Sequence, residues 1–155
     1  MKEEFMREAI RLSREMMNSG KGGPFGAVVV KDGVIIARGN NQVTLNNDPT
    51  AHAEVVAIRN ACSHLGDFSL EGCEVYSSCE PCPMCLAAIY WARAERLYFA
   101  GSRFDAAEVG FDDEFLYKEL PKEIEERQLP TEQLLRDEAI VAFREWSELE
   151  EKVEY

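Results

Sequence analysis

With 155 residues, 46% hydrophobic and 30% charged, the chain has the size and composition of one packed domain, and a disordered majority is excluded. Seventeen basic against twenty-nine acidic residues leave a formal charge of −12 with no cluster of Lys or Arg. That balance speaks against a polyanionic partner such as nucleic acid and for a small neutral ligand. The longest apolar run, Met84 to Ala92, falls short of the ~20 residues that a membrane span needs. Met1 to Phe5 carries acidic groups where a secretory signal would be basic and then apolar, so a cytoplasmic location is expected. Five cysteines in such a chain do not read as a disulfide framework.

Phe5, Ala9, Leu12 and Met16 recur at three-to-four spacing and predict an amphipathic helix over 2–19, ended by Gly20. Gly22-Gly23-Pro24 turns into Phe25 to Val30, an apolar run expected of a strand buried on both faces. Asp32-Gly33 predicts a hairpin, with Val34 to Arg38 as the returning strand. Gly39 to Thr50 is polar, rich in Asn, and expected to be loop. Pro49 and Thr50 are expected to open a second helix along Val55, Val56, Ile58 and Ala61, with His52 and Glu54 in its first turn.

Cys73 to Ser77 predicts a third strand, and a helix from near Pro81 and Cys82 runs through Leu86, Ile89 and Tyr90. Arg96 to Ala100 is a fourth strand, followed by an expected loop from Gly101 to Asp113. The last third predicts charged helices at Tyr117 to Arg127, broken by Pro121, and at Thr131 to Glu151 after Pro130. The second has an apolar side of Leu134, Leu135, Ala142, Phe143 and Trp146. This order predicts an α/β fold, a three-layer α/β/α arrangement with a central mixed sheet, in one domain over 1–155.

Two short segments carry the chemistry. Pro49-Thr50-Ala51-His52-Ala53-Glu54 and Pro81-Cys82-Pro83-Met84-Cys85 supply one imidazole, two thiols and one carboxylate. Structural zinc sites are usually closed by four protein ligands, whereas catalytic ones keep a position open for water. His52, Cys82 and Cys85 are therefore expected to hold Zn²⁺, with Glu54 left over as an acid/base. Cys82 and Cys85 are one helical turn apart, so both sulfurs face one side, and a helix N-terminus favours their ionised form. Glu54 could instead serve only the helix dipole. Cys79, three residues before Cys82, is either a bystander or a loop residue, and an iron–sulfur run would need a fourth Cys. Cys62 and Cys73 read as small buried hydrophobes.

The chain resembles the cytidine deaminase superfamily and, within it, the small bacterial guanine deaminases. The resemblance runs from Gly22–Val28 through Asn46–Glu54, Ser78–Cys85 and Ala88–Ala92 to Asp105–Glu108, Gly110–Asp113 and the terminal Glu154-Tyr155. It implies hydrolysis of guanine to xanthine and ammonia, with zinc-activated water attacking C2 while Glu54 delivers a proton to N3. It implies that Asn41 bonds the purine edge, that Phe25 and Trp91 line a flat pocket, and that Asp113 accepts N–H bonds from guanine. Ala53 and Tyr155 complete the implied substrate contacts. It also implies a homodimer, possibly domain-swapped, in which the C-terminal segment crosses and Tyr155 closes the partner's pocket. A carboxylate such as Asp113 suits guanine independently, because N1–H and the exocyclic amine are adjacent donors.

Other readings share parts of these motifs. A tRNA-specific adenosine deaminase would have to engage a phosphate backbone, which the −12 charge disfavours. Guanosine or ammeline could be the substrate of the same pocket. A non-catalytic zinc module would have no use for Glu54 and would recruit Cys79 as a fourth ligand.

Overall fold

The computed structural model describes residues 1–155. Lys2–Asn18 forms the first helix, α1, followed by the strands β1 (Gly26–Lys31) and β2 (Val34–Asn40). A short helix α2 (Val43–Asn46) precedes α3 (Ala53–Leu65), β3 (Cys73–Cys79), α4 (Pro83–Trp91) and β4 (Arg96–Gly101). Then come α5 (Arg103–Glu108), α6 (Glu114–Glu119), a 3₁₀ turn at Ile124–Glu126 and α7 (Arg136–Glu148). The chain divides into two compact units, Met1–Asp113 and Glu114–Tyr155.

In the first unit the strand order is β2-β1-β3-β4. β1 runs antiparallel to both β2 and β3, while β3 and β4 are parallel, so the sheet is mixed. β1 is buried almost throughout, which is why its sequence is continuously apolar. On one face Val28, Val30 and Tyr76 pack with Leu12 and Phe5 of α1. On the other, Ala27, Val29, Cys73 and Val75 pack with Ala53, Ala57 and Ala61 of α3 and Ile89 of α4. Small residues let α3 approach closely: a Cβ at Gly39 of β2 would lie 2.2 Å from the Ala53 carbonyl. The three expected layers are present.

Several boundaries differ from the sequence expectation. α3 begins at Ala53, not at Pro49, because Asp48 Oδ1 accepts both the Thr50 N–H at 2.8 Å and its hydroxyl at 2.7 Å. That local turn competes with a helical one and keeps His52 extended. The expected loop over 39–50 contains the end of β2 and the turn of α2, which stops at Asn47 in the left-handed region. The expected loop over 101–113 contains α5, started by a reciprocal capping box between Ser102 and Asp105. The two long helices expected after Asp113 are shorter. α6 ends before Pro121, and α7 starts at Arg136 rather than Thr131. In that second unit Leu134, Leu135, Phe143 and Trp146 are exposed, Phe143 to 73%. No helix is long and apolar enough to cross a membrane.

Candidate active site

Two helix starts, on α3 and α4, define the site. His52 is the N-cap of α3, in an extended conformation with its carbonyl accepting the first intrahelical bond from Val56. Cys82 occupies the same position on α4, in nearly the same backbone conformation, and Pro83 follows as the first helical residue. Cys85 then falls on the first turn, fully buried. Because His52 is not itself helical, the ~200° separation that an ideal helix would impose between it and Glu54 does not apply.

The three ligand groups converge. His52 Nδ1 lies 3.7 Å from Cys82 Sγ and 3.5 Å from Cys85 Sγ. All three ligand atoms lie within 4.8 Å of one another. Tetrahedral zinc with ordinary Zn–S and Zn–N bonds would hold an imidazole nitrogen and a thiolate about 3.5 Å apart. The donor set and its spacing fit zinc. Cys79 is not in this group: its sulfur lies 3.6 Å from the Ser102 carbonyl, and burial pushes its thiol up to about 11. Three protein ligands leave the fourth vertex open, which is the arrangement of a catalytic rather than a structural site.

The electrostatics match. The Cys85 thiol donates to Cys82 and holds it down at about 4, while that bond and burial push Cys85 up. The pair thus shares one proton, which a divalent cation would displace. The Cys82 sulfur in turn raises His52 above its usual range.

Glu54, on the first turn of α3, is only 5% exposed, and burial raises its carboxyl pKa. Its Oε1 accepts a hydrogen bond from Ser77 Oγ at 3.1 Å. Asn41, just past β2, is also buried; its Oδ1 accepts from the N–H groups of Gly23 and Val43 at 3.4 and 3.3 Å. With the oxygen so used, the amide NH₂ is the end that can donate to a ligand. Phe25 meets Phe111 edge-to-face, centroids 4.9 Å apart. Asp113 is half-buried; burial raises its pKa, and the Cys82 charge adds to the shift.

Ala53 is buried at the start of α3. Trp91 ends α4, six residues beyond Cys85, and is 66% exposed. It lines a shallow depression with Ala87, Tyr90 and Arg93. Tyr155 belongs to the second unit and is exposed. Two residues at the site carry no sequence expectation, Ser77 and Phe111. Ser77 had a usable signal, since it continues the alternate row Cys73, Val75 that faces the α3 side of the sheet.

A mixed sheet between helices, with an imidazole and two thiols at facing helix starts and a buried carboxyl group beside them, defines a zinc-dependent deaminase. Residues 1–101 match the cytidine and deoxycytidylate deaminase zinc-binding region, and the chain belongs to that family. It is 55% identical over 153 residues to the guanine deaminase of Bacillus subtilis, covering 99% of this chain and 98% of that one. The X-ray structure of guanine deaminase from Bacillus subtilis superposes with a TM-score of 0.96 over 99% of this chain and 98% of that one. The tRNA-specific adenosine deaminase of Aquifex aeolicus is 43% identical over 99 residues, 64% of this chain and 65% of that protein.

Proposed function

We propose that this enzyme hydrolyses guanine to xanthine and ammonia. The observation that carries the reading is the 55% identity with a guanine deaminase along nearly the whole of both chains, the C-terminal unit included. The likeness to the tRNA-specific enzyme covers only about two-thirds of each.

His52, Cys82 and Cys85 would hold the zinc, which when bound lowers the pKa of water in its open position toward 7. The protein's own residues do the rest. Glu54 is buried and its pKa is raised, so its carboxyl group can carry a proton as well as accept one. It would take a proton from the attacking water and pass it to N3 as the C2–O bond forms, then take the remaining hydroxyl proton and deliver it to the amine as the C2–N bond breaks and C2=O forms. Net, one water is consumed and one ammonia leaves.

Phe25, Asn41, Ala53, Trp91, Asp113 and Tyr155 are the proposed substrate contacts. Asn41 donates its amide to an acceptor on the purine edge, and Asp113 accepts from N1–H and the exocyclic amine. The aromatic rings of Phe25 and Trp91 supply flat walls.

The assembly proposed is a homodimer in which the C-terminal segment crosses to the partner and Tyr155 closes its pocket; the location proposed is cytoplasmic. Support for the dimer comes from the apolar side chains left exposed on the second unit, among them Leu134, Leu135, Phe143 and Trp146.

An ultraviolet assay of the zinc-loaded protein against guanine, guanosine, cytosine, adenine and ammeline tests the reading. Guanine is expected to be turned over at a kcat/KM at least tenfold above the others. Preference for guanosine or ammeline, or no turnover of guanine where a parallel assay shows adenosine in tRNA being deaminated, would overturn it.

A further inference from the structure

We infer that Ser77 is a positioning residue for the reaction: its buried hydroxyl fixes the carboxyl group of Glu54 in the orientation that proton transfer requires. The inference rests on the reading of Glu54 as the proton carrier.

Ser77 lies in the interior of β3, between Ala27 of β1 and Phe99 of β4. Its row on the strand is Cys73, Val75, Ser77, and the first two belong to the apolar core under α3. At 2% exposure, the position asks for a β-branched apolar residue, which would pack better and favour the strand. A hydroxyl there is justified only by a partner, because an unbonded buried polar group is costly. The partner is Glu54 Oε1, 3.1 Å away.

The Cys85 thiol is a second group that can donate, to Cys82 or to Glu54. As a zinc ligand, however, Cys85 would be a thiolate with no proton to give. The backbone N–H of Glu54 and the Ser77 hydroxyl then remain as neutral donors, and of these only Ser77 comes from the central strand. Its bond to Oε1 ties one carboxyl oxygen to the strand and so restrains the rotation of the carboxyl group. A buried carboxylate on a long side chain otherwise has several rotamers to lose before it can react.

The test compares Ser77→Ala, Ser77→Thr, which keeps the hydroxyl, and Ser77→Val, which has the shape of threonine without it. Zinc content should stay at one per chain in each. For Ser77→Ala, kcat should fall about 10- to 100-fold, the usual span for losing a hydrogen bond to a charged group, with KM changed less than about threefold. Ser77→Thr should recover most of that loss and Ser77→Val should not.

A readout independent of turnover is the unfolding of the zinc-loaded protein in a cycle of Ser77→Ala, Glu54→Ala and the double variant. The two single effects should be non-additive, as for groups in contact. Unchanged kcat in Ser77→Ala, an equal loss in Ser77→Thr and Ser77→Val, or additive unfolding would overturn the inference while Glu54→Gln still abolished turnover. Full turnover in Glu54→Gln would instead overturn the reading on which it rests.

Discussion

Gly39 of β2 lies directly beneath Ala53 of α3: a Cβ at position 39 would come within 2.2 Å of the Ala53 carbonyl oxygen and 2.5 Å of the Ala57 nitrogen. Both contacts are to backbone, so α3 itself would have to move. Its first turn carries Glu54, and its N-cap is His52. Gly39→Ala should therefore weaken zinc retention on dialysis as well as lower the melting temperature. Gly33 provides the control. It sits at φ +74° with open space around it, so Gly33→Ala should cost only backbone strain, about 1 kcal/mol, and leave zinc content unchanged. Equal zinc loss in the two variants would contradict this account.

Glu54→Gln keeps the size and most of the hydrogen bonding of the side chain but removes its capacity to carry a proton. The ligand trio does not include Glu54, so the variant should bind zinc stoichiometrically. Its kcat should drop by at least ~10²–10⁴-fold. Metal analysis alongside steady-state kinetics decides the matter. Lost zinc in the variant would mean that the carboxyl group supports the ligands instead.

How much of this could be read from the chain depended on whether the determinant was local. His52, Cys82 and Cys85 were legible because few side chains bind zinc and their spacing suits helix starts. The three-layer fold was legible because β1 is continuously apolar while α1 has a helical stripe. The start of α3 was less so. The Asp48–Thr50 turn holds the backbone out of the helix, and that competition is won by hydrogen bonds rather than by propensity. The capping box of α5, Ser102-x-x-Asp105, is visible in the sequence, yet six residues without a strong apolar period read equally well as loop. The bond between Ser77 and Glu54 spans 23 positions and depends on strand parity, which becomes certain only once Val75 is known to face α3.

Glu8 makes part of the stability of the first unit dependent on pH. Its carboxyl oxygens accept from Arg11 on the same helix and from Arg38 on β2, each at 2.7 Å. The Arg11 bond, then the Arg38 bond, holds the carboxyl down at about 2 against an ordinary 4.5. The folded pKa is the lower one, so the stabilisation is present above pH ~4.5 and is lost as pH falls through about 2. Both guanidinium groups are half exposed, so solvent screening limits the effect to about 1 kcal/mol. Denaturant titrations of Glu8→Gln should show that deficit at pH 7 and a shrinking one as pH falls from 4.5 toward 2. A difference that grew on acidification would reverse the sign and contradict the assignment.

The proposed dimer makes a demand on the second unit that can be tested without touching the zinc ligands. Phe143 and Trp146 lie one turn apart on α7, both exposed, together with Val141 and Leu149. Covering such side chains stabilises an association by about 25 cal/mol per Å² of apolar surface removed from water. Light scattering should accordingly give twice 17.6 kDa for the intact chain, and Phe143→Asp combined with Trp146→Asp should shift it toward the single-chain mass. Removing Tyr155 alone should leave the mass unchanged but reduce guanine kcat/KM by roughly tenfold, the scale of losing one wall of a closed site. Because His52, Cys82, Cys85 and Glu54 all belong to the first unit, zinc content should survive every one of these changes. A monomeric intact chain that turns over guanine at full rate would eliminate the crossing segment, and full activity after loss of Tyr155 would eliminate the lid.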